Sequence, residues 1–127
     1  MKLLLDTCAF LWLAGGQRLS LDATAAYRDP GNEVWLSAAS VWEITIKYAA
    51  GRLALPEPPD RLIAAERRLR GIRALAIDED AALQLLRLPA LHRDPFDRML
   101  VCQAISSGMA IVTPDPLIGQ YPVRIIW

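Results

Sequence analysis

The sequence predicts an α/β fold, with a mainly parallel central sheet of four to five strands flanked by helices. Short apolar runs alternate along the chain with longer amphipathic stretches, which is typical of parallel strands joined by helical crossovers. Apolar residues make up 54% of the 127 residues, enough for a substantial core without disulfides. No internal repeat or shift in composition divides the chain, so we expect residues 1–127 to form a single domain.

The elements of the first half are bounded by residues that start or stop helices. Lys2 to Leu5 is apolar and too short for a helix, so it is predicted to be a buried strand. Either Ser37 or Ser40 can cap the helix that runs to Ala50. The other elements predicted here are a helix over 7–14 closed by Gly15-Gly16, a helix over 20–29 stopped by Pro30-Gly31, a strand over 34–36, and a basic helix capped by Asp60 that runs to about Arg70.

The second half repeats this alternation of strand and helix. Pro95 is a favoured first helical residue and Asp94 a favoured N-cap, so a helix is predicted over 95–107. The other elements predicted here are a strand over 72–77, a helix over 78–88, a loop over 89–94, and strands over 110–113 and 123–127.

Four acids fall where a predicted strand ends or a predicted helix begins: Asp6, Glu43, Asp97 and Asp115. Right-handed crossovers bring all these points to one edge of a parallel sheet, where ligands bind in open α/β folds. Two carboxylates about 4 Å apart repel by roughly 4 kcal/mol at an effective dielectric constant of 20. A hard divalent cation such as Mg²⁺ or Mn²⁺ removes that penalty. The pattern therefore favours a metal site used for phosphoester chemistry.

Three of these acids also have a local explanation. Asp6 precedes a helix and suits an N-cap, and Asp115 lies in a Pro-Asp-Pro turn. Asp97 is the third residue of the helix that Asp94 caps, where an acid complements the helix dipole. None of these roles explains why the acids share one edge.

Glu43 also has two possible local roles. If the helix starts at Ser40, the two residues form a capping box. If it starts at Ser37, Glu43 lies in the second turn and is not a cap partner. Lys47 follows four residues later, in the order that favours an ion pair on a helix.

Other kinds of site are disfavoured by the residues that the chain offers. The chain has one histidine, His92, which cannot build a catalytic triad alone and is expected to have a loop or structural role. Cys8 and Cys102 are expected to be buried free thiols in a reducing cytoplasm, and no cluster of His and Cys favours zinc. Because Asp6 interrupts the first apolar run and no run reaches about 20 residues, we expect an unprocessed cytoplasmic protein without a membrane segment.

Several strings of residues resemble those of one family. They are Leu3-Leu4-Leu5-Asp6-Thr7, Ser40-Val41-Trp42-Glu43-Ile44 with Lys47 and Gly51-Arg52-Leu53, the run His92-Arg93-Asp94-Pro95-Phe96-Asp97-Arg98-Met99-Leu100, and Ile111-Val112-Thr113-Pro114-Asp115. They occur in family order over nearly the whole chain, and through them it resembles PIN-domain ribonucleases, specifically VapC-type toxins of type II toxin–antitoxin systems.

The resemblance implies a PIN-like fold and an endoribonuclease in which a metal-activated water hydrolyses RNA to a 5′-phosphate and a 3′-hydroxyl. It carries the catalytic and metal-binding roles, for Mg²⁺ or Mn²⁺, to Asp6, Glu43, Asp97 and Asp115. Residues beside these acids that orient them or a bound water are Thr7, Asp94 and Thr113, although Asp94 is favoured as the cap and each threonine equally suits an ordinary local hydroxyl. Arg98 is a weaker candidate for contacting substrate. The implied partners are RNA, a cognate antitoxin and a second copy of the chain in a homodimer.

Two other features bear on RNA binding, since the formal net charge is zero and gives no general attraction. The helix over 60–70 carries four arginines, with Arg73 just beyond; this basic patch is either a phosphate track or a solvated helix face. The four tryptophans are expected to pack in the core or a dimer interface rather than stack on bases: Trp12, Trp35, Trp42 and Trp127.

Two competing functions remain. A PIN-like module could bind RNA or protein without cutting, although the complete set of acids disfavours that. A phospho-accepting receiver domain also gathers acids at a sheet edge. It would need two adjacent acids after the first strand and a late lysine, whereas Thr7 follows Asp6 and no lysine follows Lys47.

Overall fold

A computed structural model describes residues 1–127 and confirms the α/β fold. Five strands form one sheet in the order β3-β2-β1-β4-β5, and every neighbouring pair is parallel. The strands are β1 (Lys2–Leu5), β2 (Glu33–Ser37), β3 (Arg73–Leu75), β4 (Ala110–Val112) and β5 (Ile125–Ile126). The helices are α1 (Thr7–Ala14), α2 (Leu21–Arg28), α3 (Ala38–Ala49), α4 (Pro59–Arg70), α5 (Glu79–Gln84) and α6 (Pro95–Ser107).

The central strand β1 separates two apolar layers. Successive side chains of a strand point to opposite faces, so Leu3 and Leu5 enter one layer and Leu4 the other. Phe10 of α1 and Ile44 of α3 pack on the first face. The middle of α6 packs on the second face, and the residues of both layers are buried.

The structure settles one boundary that the sequence left open and corrects two others. Ser37, not Ser40, caps α3: its Oγ accepts the backbone N–H of Ala39 at 3.0 Å. Asp60 does not cap α4, because Pro59 already begins that helix and no side chain caps it. The helix expected over 78–88 ends at Gln84 and continues as a single 3₁₀ turn, Leu85–Arg87.

The two edge strands are shorter than expected, and a 3₁₀ turn at Ile118–Gln120 was not predicted. Strand β3 carries the exposed residues Arg73 and Ala74, so its apolar pattern alone did not fix its length. A short edge strand limits the unpaired backbone that a sheet presents to other chains.

The basic patch is partly used inside the protein. Arg70 donates to Glu66, Tyr27 and the carbonyl of Leu13, which ties α4 to α1 and α2. Arg67 is half-buried and donates to the carbonyl of Leu36, and Arg73 pairs with Glu33. Only the guanidinium groups of Arg61 and Arg68 remain exposed and free of ion pairs, which leaves little of a phosphate track.

Three of the four tryptophans follow the packing expectation. Trp12 and Trp127 meet edge to face at 5.4 Å between ring centroids and pack against the first core layer, and Trp35 packs against the second. Trp42 is 61% exposed and contacts the ring edge of Phe96, so it lies outside the core and packing in a dimer interface stays a prediction for it.

Both cysteines are free thiols, with Cys102 fully buried and Cys8 half-buried. None of the helices combines the length and the apolar character needed to cross a bilayer.

Candidate acidic metal centre

A cavity of about 350 Å³ lies at the carboxyl edge of the sheet, and all four acids line it. Its lining residues come from Asp6 directly after β1, from α1, α3 and α6, and from the segment after β4. Lys47 is the one basic residue among its lining residues. A larger cavity of about 420 Å³ near α2 is lined by arginines and contains no acid, so it lacks this chemistry.

Asp6 is at once the N-cap of α1 and a wall of this cavity. Its Oδ1 accepts the backbone N–H of Ala9 at 2.6 Å, and its Oδ2 accepts the hydroxyl of Thr113 at 2.5 Å. The backbone N–H of Asp6 donates to the carbonyl of Val112 at 3.1 Å, which extends the β1–β4 pairing beyond the strand. The cap and the site therefore use the same carboxylate without conflict, since each oxygen keeps a second lone pair.

Glu43 lies in the second turn of α3, so the capping-box alternative with Ser40 was wrong. Its Oε1 accepts the hydroxyl of Thr7 at 2.6 Å, and its Oε2 pairs with Lys47 Nζ at 2.6 Å. The carboxylate is almost fully buried. Thr7 thus links α1 to α3 and fixes the direction in which Glu43 faces the cavity.

Asp97 is presented by the first turn of α6. Asp94 caps that helix, with Oδ1 accepting the backbone N–H groups of Phe96 at 2.9 Å and Asp97 at 3.4 Å. Asp94 does not line the cavity, whereas Asp97 does. The hydrogen bonds therefore show Asp94 as the cap of α6, as expected.

Asp115 follows β4 in a tight turn. Its backbone N–H donates to Thr113 Oγ1 at 3.0 Å, and its Oδ1 accepts the N–H of Leu117 at 2.9 Å. Because Thr113 also donates to Asp6, one hydroxyl orients both acids. The two threonines singled out from the sequence thus contact three of the four acids.

Burial and mutual repulsion disfavour ionisation of two acids. Burial, together with the charges of Asp115 and Glu43, raises the pKa of Asp6 to about 6, even though its hydrogen bonds from Thr113 and Ala9 oppose the rise. Burial raises the pKa of Asp97 to about 7, with further contributions from the charges of Asp94, Glu43 and Asp6. A cation among these oxygens would reverse the penalty, so the donor set fits a hard divalent ion.

His92 is a neighbour of the site that was not expected to approach it. Its Nε2 lies 3.1 Å from Oδ2 of Asp97 and 3.4 Å from Oδ2 of Asp115. The backbone N–H of His92 donates to the hydroxyl of the buried Tyr121 at 2.8 Å. Tyr121 is 29 residues away in sequence. The only local signal that His92 belongs to the site was therefore its closeness to Asp97 in the chain.

Arg98 does not line the cavity, and its half-buried guanidinium leaves Nε without a hydrogen-bond partner. Its candidacy as a substrate contact gains no support from this placement. Cys8 does line the cavity, and burial together with the four surrounding carboxylates raises the pKa of its thiol. A thiol kept protonated in this way is a poor nucleophile, which leaves the carboxylates as the chemical groups of the cavity.

Comparisons with known proteins agree with the fold and with the strings of residues described above. The family model described as the PIN domain matches residues 3–122. Ribonuclease VapC16 of Mycobacterium tuberculosis (strain ATCC 25618 / H37Rv) is 40% identical over 65 residues, which are 48% of this chain and 46% of that protein. The matched region of this chain therefore covers less than half the length of that relative.

Solved structures of toxin–antitoxin complexes share the fold. VapBC2 from Rickettsia felis, bound to a DNA fragment from its promoter, has a chain that superposes with a TM-score of 0.74 at 13% identity, covering 98% of this chain and 97% of that one. A chain of DNA-bound VapBC from Salmonella typhimurium has a TM-score of 0.68 at 19% identity, covering 98% and 96%.

Proposed function

Because the chain belongs to the PIN-domain family, we propose that it is a metal-dependent endoribonuclease acting as the toxin of a toxin–antitoxin pair. The observation that carries this proposal is the cavity where Asp6, Glu43, Asp97 and Asp115 converge with a single lysine among them. The relative named as a ribonuclease supports RNA as the substrate. The neighbouring structures of toxins with their antitoxins support a cognate antitoxin as the partner.

In this proposal the four acids hold Mg²⁺ or Mn²⁺, with Asp6 and Asp97 as direct ligands and Glu43 and Asp115 bound directly or through water. A divalent cation held there would supply Lewis acidity at the scissile phosphate and a hydroxide nucleophile near neutral pH. Thr7 and Thr113 orient the acids through the hydrogen bonds that they donate. Lys47 offsets part of the negative charge beside Glu43.

A cleavage assay tests the proposal. Purified protein is incubated with structured RNAs and Mg²⁺ or Mn²⁺, with EDTA, or as the variants Asp6→Asn and Asp97→Asn. EDTA and either substitution should slow cleavage at least about 100-fold, because several kcal/mol of transition-state stabilisation depend on the cation. Glu57→Gln, a charge loss at an exposed loop residue, is the matched control and should cleave normally. End analysis should find 5′-phosphates and 3′-hydroxyls.

The outcomes separate the competing functions. Cleavage that survives both EDTA and Asp6→Asn would contradict metal-dependent catalysis by these acids. A protein that binds Mn²⁺ and RNA but cuts none of the RNAs would instead be the non-catalytic module.

The toxin role is tested in cells, where we propose that the protein acts in the cytoplasm. Induced expression without the antitoxin should arrest growth, and Asp97→Asn should relieve the arrest at equal protein level. Arrest by the variant equal to that of the wild type would show that toxicity does not depend on cleavage.

The proposed homodimer is supported by an exposed apolar stretch that runs from the end of α5 into the loop that follows it. Leu83, Leu86 and Leu91 are 59%, 86% and 46% exposed, and large exposed apolar side chains grouped in one segment are typical of protein interfaces. Light scattering during size exclusion should give twice the chain mass for the wild type, and Leu86→Asp should shift it to the monomer.

A further inference from the structure

We propose that His92 is a positioning residue that holds Asp97 and Asp115 together from outside the lining of the acidic cavity, and that it is not a ligand of the cation. The inference rests on the proposed function, which supplies the cation that these acids bind. His92 offers an imidazole nitrogen close to two carboxylates, so by distance alone it could either bind the cation or position the two acids. The chemistry of the ring distinguishes these two roles.

The tautomer of the imidazole argues against a ligand role. Nδ1 of His92 accepts the backbone N–H of Asp94 at 3.3 Å, so in the neutral ring the proton resides on Nε2. A nitrogen that carries a proton has no lone pair for a metal. Histidines that bind metals donate their other ring N–H to an acceptor, whereas here the other nitrogen faces a donor.

The location of the ring gives an independent argument. The cavity is lined by all four acids but not by His92, whose side chain is only 12% exposed. Nε2 lies 3.1 Å from Asp97 and 3.4 Å from Asp115, in contact with Oδ2 of each. The ring thus contacts these two carboxylates without itself lining the cavity that contains them.

The Nε2–H group acts on both carboxylates together. Nε2 is buried and makes no hydrogen bond of standard geometry, so its contacts with the two carboxylate oxygens are electrostatic. A donor held between two like charges lowers their repulsion and limits their separation. His92 thereby couples α6, which carries Asp97, to the segment after β4, which carries Asp115.

Two backbone anchors hold the ring in this position. The N–H of His92 donates to Tyr121, which lies beyond Asp115 in the chain, and the N–H of Asp94 holds Nδ1. The carboxylate of the same Asp94 caps α6. The residue that starts the helix of Asp97 thus also sets the tautomer of the His92 ring.

Binding of Mn²⁺ tests the positioning role, measured by calorimetry on the full chain without RNA. His92→Ala should weaken binding about 10- to 100-fold, the usual cost of losing a group that orients a metal ligand. His92→Gln places an amide donor near the former Nε2 and should restore affinity to within a few-fold of the wild type. If His92→Ala binds Mn²⁺ as tightly as the wild type, the positioning role is wrong and the proposed function stands. If the wild type binds no Mn²⁺, both fail.

A spectroscopic measurement on the wild-type protein tests the ligand alternative. The chain has one histidine, so long-range ¹H–¹⁵N correlation of tag-free protein reports this ring alone. We expect the signal of a proton carried on Nε2, retained when Mg²⁺ is added. Loss of the Nε2 proton on adding Mg²⁺, or a ¹⁴N coupling to bound Mn²⁺ that His92→Gln removes, would overturn the proposal in favour of a nitrogen ligand.

Discussion

Thr113 is the residue with the most connections in the acidic site. Its hydroxyl donates to Asp6 Oδ2 and accepts the backbone N–H of Asp115, so it uses both its donor and one acceptor position. It is 1% exposed, so bulk solvent has little access to these bonds. A buried hydroxyl with this pairing fixes the relative direction of two carboxylates that would otherwise move apart.

Replacing Thr113 with valine keeps the shape of the side chain and removes the hydroxyl. We expect Thr113→Val to weaken Mn²⁺ binding about 10- to 100-fold, because loss of a group that orients metal ligands has that usual cost. Thr113→Ser keeps the hydroxyl and should stay close to the wild type. Calorimetric titration measures both, and equal affinity for the two variants would show that the hydroxyl does not orient the site.

Helix α6 shows how an element, rather than a residue, presents an acid. Pro95 begins the helix, Asp94 caps it, and Asp97 faces the cavity from the first turn. Fraying of that turn would move Asp97 away from the other acids. The first turn of a helix is held mainly by its cap, since its N–H groups have no partners within the helix.

Removing the cap should therefore affect both stability and metal binding. Asp94→Ala should lower the free energy of unfolding by about 1 kcal/mol and weaken Mn²⁺ binding, whereas Asp94→Asn should retain the cap. Asp78→Ala is the matched control, because Asp78 caps α5 through the N–H of Ala81 but lies away from the cavity. It should cost similar stability in urea unfolding and leave Mn²⁺ affinity unchanged; an equal loss of affinity in both variants would point to a general loss of structure.

Element ends were the least predictable part of the chain. Both Ser37 and Ser40 suit an N-cap by residue type, and the choice depends on Ser37 also donating to the buried Gln103, 66 residues away. Asp60 also suited an N-cap by residue type. However, Pro59 is compatible with the first turn of a helix, so α4 begins at Pro59, before Asp60. Local propensity proposes several starts, and tertiary contacts select one.

At the scale of the molecule, the sheet order follows from features that the sequence contains. Apolar runs of strand length separated by helices dictate parallel pairing, and that pairing puts Asp6 beside Thr113 at the carboxyl edge. The convergence of the four acids was predictable for this reason. The approach of His92 was not, because it depends on Tyr121 and on a loop without periodicity.

The acidic cavity also links four elements of the fold, so its charge state affects the stability of the whole molecule. Without a cation, the folded state favours protonated Asp6, whose pKa is raised from 3.8 to about 6. Below about pH 3.8 the carboxyl group is neutral in both the folded and the unfolded state, and its contribution to stability is fully present. As pH rises towards 6, the unfolded chain releases this proton first, so the contribution is lost. Asp97 extends the loss towards pH 7.

We therefore expect the free energy of unfolding in EDTA to include a term from Asp6 that falls by about 3 kcal/mol between pH 4 and 7, since each pKa unit corresponds to about 1.4 kcal/mol. Urea unfolding of the wild type and Asp6→Asn across this range measures the term, together with the smaller change in Asp97, whose pKa the charge of Asp6 raises. The difference in stability between wild type and variant should decrease with pH in EDTA. Saturating Mn²⁺ stabilises the folded wild type and should reverse the decrease, because the cation binds the ionised acids. A difference that is constant with pH in EDTA would mean that Asp6 is ionised in the folded protein without a cation. In that case the repulsion proposed to make this site bind metal would be absent.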